Sequence, residues 1–102
     1  MKAWEILSSK EKWTQAAWGR DANGAEVNSS DLENAVCFCL GGAIIKAYGL
    51  GINGMRDEYA DKLLAKLTPH LDWGDYSYIF NWNDSPSRTY EEVVALLKEL
   101  DI

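Results

Sequence analysis

The 102-residue sequence predicts a mainly helical fold, with α+β as the alternative, and three observations carry that prediction. Two segments, 57–67 and 89–101, place apolar residues at helical spacing. The run 35–48 is apolar almost throughout and ends at Gly49, a residue suited to closing a helix. Ser30-Asp31-Leu32-Glu33 and Thr89-Tyr90-Glu91-Glu92 are both capping boxes, in which a hydroxyl and a carboxylate satisfy the first free amides of a helix. Together they describe one domain over 1–102: three main helices near 31–48, 57–67 and 89–101, a short N-terminal helix and a small β-hairpin.

In chain order, residues 2–7 form the opening helix with Trp4 and Leu7 on one side, and Ser8-Ser9-Lys10-Glu11 offers a cap for a second short turn. Asn23-Gly24 is the strongest tight-turn dipeptide, because both residues tolerate positive φ. With 13–20 before it and 25–27 after it, it predicts an irregular hairpin anchored by the indoles of Trp13 and Trp18, since two strands alone are marginal in water. The Ser30 box then opens a central helix. Ala35, Cys39, Ala43 and Ala47 make a stripe of small side chains, Val36, Leu40 and Ile44 lie beside it, and Phe38 and Ile45 occupy other faces. A helix apolar on all sides belongs inside the domain. Gly41 and Gly42 each cost about 1 kcal/mol relative to alanine in a helix; close approach of a neighbouring backbone would offset this.

Gly49, Gly51 and Gly54 punctuate the following loop. A phosphate-cradling loop needs a strand before the glycines and a helix after them, followed in one version by a lysine and a hydroxyl; only the following helix is present, so the segment reads as a flexible connector. Over 57–67, Tyr59, Ala60, Leu63, Leu64 and Leu67 face inward, with Asp57, Glu58, Asp61, Lys62 and Lys66 outward; Thr68-Pro69 ends the helix. The stretch 72–90 is aromatic. Tyr76, Tyr78, Phe80 and Trp82 alternate as on a strand, yet Asp75 is a good N-cap and Tyr76, Ile79, Phe80 and Asn83 align on a helical face, which favours a short helix over 75–82. Residues 83–87 read as a turn. The last helix buries Tyr90, Val93, Val94, Leu97 and Leu100, with Lys98 near the end where a cation is favoured.

Sixteen acidic against ten basic residues leave a net charge of −6, which disfavours adhesion to nucleic-acid phosphates and anionic membranes. A protein partner or a homodimer through exposed tryptophan is expected instead. The excess lies wholly in 57–102, which holds ten acidic and four basic residues. It predicts either a solvated surface or an acidic face, with Asp57, Glu58, Asp61, Asp72 and Asp75, that docks on a basic partner. Charged residues interrupt the apolar positions near the N-terminus, so no secretory leader is expected. The apolar run 35–45 is well short of the ~20 residues that span a bilayer, and a soluble cytoplasmic protein is expected.

Cys37 and Cys39, read as mid-helix, would point about 200° apart and could neither bridge nor share a metal ion; they are expected as buried filler. His70 is the sole histidine and stands in no ligand or triad spacing. No metal or cofactor is expected. The chemistry above background is the run Trp82, Asn83, Asp84, Arg88, Thr89 and Tyr90. Rings beside amide, carboxylate and guanidinium groups suit a ligand pocket, and the same groups could equally close turns and cover the last helix. Spacing selects no catalytic pair among Asp72, Asp75 and Asp84. The sequence therefore predicts a binding or accessory protein acting through an aromatic-acidic C-terminal face. An acidic inhibitor of a basic partner, and a small enzyme or small-molecule binder using 82–90, are the alternatives.

Three segments, Trp13-Thr14-Gln15, the run from Ala35 to Ala43, and Trp82-Asn83-Asp84 followed by Arg88-Thr89 and Glu92-Val93, together resemble a family of short bacterial and phage proteins known only as a domain of unknown function. Its members share a Cys-Leu-x-Gly-Ala-like central helix and a Trp-Asn-Asp turn before the last helix. The resemblance covers most of the chain and implies no catalytic role for any residue.

Overall fold

The computed structural model describes residues 1–50, 56–68 and 77–102. Gly51, Gly54, His70, Asp72, Trp73, Asp75 and Tyr76 lie outside the described residues. The chain runs α1 (Ala3–Ile6), a 3-10 turn (Lys10–Lys12), β1 (Gly19–Arg20), β2 (Glu26–Val27), a second 3-10 segment (Ser29–Asn34), β3 (Cys37–Phe38), α2 (Leu40–Tyr48), α3 (Asp57–Leu67), α4 (Ser77–Asp84) and α5 (Tyr90–Glu99). It is mainly helical, with a small antiparallel sheet in the order β2-β1-β3.

The hairpin forms where Asn23-Gly24 places it. Gly19 pairs with Val27 and Arg20 with Glu26. Gly24 takes φ +82°, and the Asp21 carboxylate accepts from the amides of Asn23 and Ala25 at 2.9 and 3.0 Å, which fixes the turn.

The central helix is shorter than predicted. It starts at Leu40, not at residue 31, because the segment before it is drawn onto the sheet. Gly19 pairs with Phe38 and Arg20 with Cys37, while Val36 N donates to Arg20 O at 2.8 Å and Cys39 N to Trp18 O at 3.1 Å. The far side of β3 is closed by a parallel bridge between Trp13 and Phe38. Both edges of 37–38 therefore find backbone partners, and Val36, Cys37 and Phe38 suit a pleated surface. Ser30 to Glu33 builds a 3-10 segment with Asp31 in a non-helical conformation and no side-chain cap. Ala35 thus lies outside the helical stripe, and Cys37 and Cys39 are not mid-helix: Cys37 sits in β3 and Cys39 is the N-cap of α2, both as free thiols. The Ser8 cap is likewise replaced, with Ser9 preceding the 3-10 turn without a side-chain cap bond.

Burial is as the apolar pattern of 40–48 requires. Every residue from Leu40 to Ile45 is buried, and α2 is the centre of the core, with α1 and α4 packed on it and α1 also against α5. Ala60, Leu63 and Leu64 of α3, Ile79 of α4 and Val93, Leu96 and Leu97 of α5 complete the interior. Tyr48 stacks on Tyr59 with ring centroids 4.2 Å apart, and its hydroxyl donates to Ile102 O at 2.8 Å. Gly49 closes α2 at φ +93°. Helix α4 runs through Asn83 and Asp84, so the turn after it begins at Ser85 rather than at residue 83.

The Thr89 capping box forms as written in the sequence. Thr89 Oγ1 accepts from Glu92 N at 3.2 Å, and Glu92 Oε1 accepts from Thr89 N at 3.0 Å. The Thr89 amide, its hydroxyl and Arg88 all favour the ionised carboxylate and hold Glu92 below the ordinary glutamate value against a smaller opposing effect of burial. A carboxylate with a lowered folded-state pKa stabilises fully above its unfolded value and loses that contribution as pH falls through the folded one. We expect Thr89→Ala to cost about 1 kcal/mol in urea denaturation at neutral pH. The difference between wild type and Glu92→Gln should shrink as acid titrates Glu92; a constant difference across that window would contradict the assignment.

Candidate functional site

Two clusters form around the residues singled out by chemistry. The first is a buried hub. Asn83 is 1% exposed. Its Oδ1 accepts from Trp13 Nε1 at 2.8 Å and Leu40 N at 3.1 Å, and its Nδ2 donates to Thr14 O at 3.3 Å and Asp84 Oδ1 at 2.9 Å. One side chain thereby caps the first amide of α2, pins the 13–14 segment and orients the next carboxylate. Gln15 Nε2 adds bonds to the carbonyls of Asn83 and Ser85 at 2.8 and 2.9 Å.

Asp84 is exposed. Its Oδ1 also accepts from Ala16 N at 2.9 Å. Ala16 reaches it at φ +64°, a left-handed conformation that costs an alanine about 1 kcal/mol. That strain is held at the lip of a cleft of about 340 Å³ between the 16–18 segment, β2 and α4. Trp18, Val27 and Phe80 give the cleft apolar walls, with Trp18 and Phe80 edge to face at 4.8 Å. Glu26, Asn28, Asn83 and Asp84 supply its polar groups, and Cys39 also lines it.

Cys39 is neutral here. Its Sγ accepts from Gly42 N at 3.2 Å, yet burial pushes the thiol up to about 11, with the Asp84 charge acting in the same direction and the Gly42 and Gly41 amides opposing. A thiol with that pKa is almost wholly protonated at neutral pH and makes a poor nucleophile.

The second cluster joins the end of α4 to the start of α5. The Arg88 guanidinium lies 3.9 Å from the centroid of the Trp82 ring, its Nε donates to Trp82 O at 2.8 Å, and it pairs with Glu92 at 3.0 Å. The Tyr90 hydroxyl donates to Leu7 O, tying α5 to the N-terminal segment. Of the five predicted binding residues, Asn83 and Asp84 border the cleft, whereas Trp82, Arg88 and Tyr90 are not part of its lining. Trp18, Glu26, Val27, Asn28 and Phe80 were not legible as site residues, because the cleft exists only once the hairpin is laid against α4. Of the predicted acidic face, Glu58 and Asp61 are exposed on α3; the Asp57 side chain, Asp72 and Asp75 lie outside what the structure describes.

A second depression, about 360 Å³ between α1 and α5, is lined by Met1, Trp4, Glu5, Ser8, Val94 and Lys98. Its charged groups are engaged: Glu5 accepts from Lys2 N at 2.8 Å, and the Lys98 ammonium stands 5.1 Å from the Trp4 ring centroid. Among the described residues no group of three His, Cys, Asp or Glu side chains could hold a metal ion, and no helix is long and apolar enough to cross a membrane.

Fold and site define a small, mainly helical protein with a cleft between its hairpin and its fourth helix. The chain belongs to a family of unknown function (DUF6197), whose model matches residues 1–100. No curated protein and no solved structure matches it.

Proposed function

We propose that the protein is a binding protein whose ligand sits in the cleft walled by Trp18, Val27 and Phe80, with Asn83 and Asp84 as the predicted binding residues that serve it and Trp82, Arg88 and Tyr90 bracing α4 and α5 behind them. The observation that carries this reading is the strained Ala16 amide on Asp84: backbone strain persists where the surrounding structure is arranged to hold it, and here it fixes a carboxylate at the mouth of an apolar cavity. The cavity falls in the ordinary size range of small-molecule sites, apolar in its walls with few polar groups. Binding is favoured over covalent catalysis because the thiol in the cleft is held protonated.

A fragment screen read by amide chemical shifts tests this. Ligands should shift the amides of Ala16, Ala17 and Asn28, and Val27→Trp, which fills the cleft, should abolish the response. Hits confined to the depression beside Trp4 and Lys98, or unaffected by Val27→Trp, would remove the cleft as the site.

A further inference from the structure

We infer that the cleft selects a small organic cation, a protonated amine on a short apolar body; the inference rests on the cleft being the binding site and adds the chemical class of its occupant. Charge at the cleft is of one sign. Glu26 and Asp84 line it, and no lysine, arginine or histidine does. Neither carboxylate forms an ion pair with a cation among the described residues. Arg88, near Asp84 in sequence, is committed to Glu92 and to the Trp82 ring, and Arg20, the cross-strand partner of Glu26, donates to Thr14 Oγ1 and to the carbonyls of Gln15 and Gly24. Asp84 is instead oriented by two neutral donors, Ala16 N and Asn83 Nδ2, each at 2.9 Å on Oδ1. Neutral donors fix the position of the carboxylate without cancelling its charge.

The walls reinforce the selection. Aromatic ring faces attract cations, most strongly in a partly dry site, and Trp18 and Phe80 are both present. An apolar body gains by covering Val27 and these rings. An anionic ligand would meet two carboxylates and no cation in the lining, and a neutral one would draw no attraction from either carboxylate. The cation class is therefore the one that uses both the carboxylates and the aromatic walls of the cleft.

The test titrates the whole protein at neutral pH and low salt with three probes of one shape, benzylammonium, benzyl alcohol and benzoate, and follows the amides of Ala16 and Asn28. Benzylammonium should bind at least about tenfold more tightly than the alcohol, weaken with added salt, and leave benzoate without a cleft response. Asp84→Asn, which keeps an oxygen acceptor for Ala16 N, should erase that preference. Glu26→Gln on the exposed strand β2 should reduce it, and serves if the first variant folds poorly. Equal binding of all three probes in the cleft would overturn the cation assignment and leave the cleft reading standing. Silence of all three at those amides would also overturn it, and the cleft itself would then stand or fall on the wider fragment screen.

Discussion

Gly42→Ala should destabilise the protein by about 3 kcal/mol or prevent folding, although helix propensity alone predicts a gain of about 1 kcal/mol from the same change. The sign turns on one neighbour. A Cβ built on Gly42 would collide with the carbonyl oxygen of Trp18 and stand 3.0 Å from its carbonyl carbon. That oxygen is not free to retreat. It accepts from Cys39 N at 3.1 Å, the bond that fastens the start of α2 to the strand beginning at Gly19. Relief would require moving α2 away from the hairpin, which breaks the Cys39 bond, or rotating the Trp18 peptide, which disturbs the Trp18 ring packed on Phe80 at 4.8 Å. Backbone atoms on both sides make this unlike overpacking against a side chain, which can change rotamer. Urea denaturation with circular dichroism gives the answer; a Gly42→Ala protein as stable as wild type would show that α2 does not approach the hairpin this closely.

The glycine also shows what the sequence could and could not say. That Gly41 and Gly42 would sit in a helix against a neighbouring backbone was readable from their cost in a buried apolar run, and for Gly42 the backbone is Trp18. Which backbone it would be was not readable, because it depends on where the hairpin lies. The same division recurs along the chain. Asn23-Gly24 and Thr89-Glu92 act over three or four residues, so their turn and cap appear where the spacing puts them. Residues 35–39 fail for the opposite reason. An apolar run of that composition satisfies a buried strand as well as a buried helix. The choice is made by the open edge of β1 and by the 13–14 segment, both more than fifteen residues upstream. In the candidate site, Asn83 and Asp84 stood out for their chemistry, whereas their partners Thr14, Ala16 and Leu40 lie 69, 68 and 43 residues away. No local rule reaches that far.

Asn83→Ala should cost about 3–4 kcal/mol, a large share of the roughly 5–15 kcal/mol that holds a domain of this size together. The side chain makes four hydrogen bonds from a position that is 1% exposed, so truncation strands Trp13 Nε1, Leu40 N and Thr14 O at once. A buried polar group left without a partner costs about 1–3 kcal/mol, and water entering the space left by the amide recovers part of the sum. Asn83→Asp separates lost bonds from lost shape. It keeps an oxygen for Trp13 and Leu40 and replaces the Nδ2 donor with charge, facing Thr14 O and the Asp84 carboxylate. Burial and that neighbouring charge would raise the new carboxyl above its unfolded value, so the aspartate variant is destabilised at neutral pH and regains stability relative to wild type as pH falls through the raised value. An alanine loss below about 1 kcal/mol, or an aspartate variant whose deficit does not narrow in mild acid, would mean that Asn83 merely fills space between the helices and does not join them.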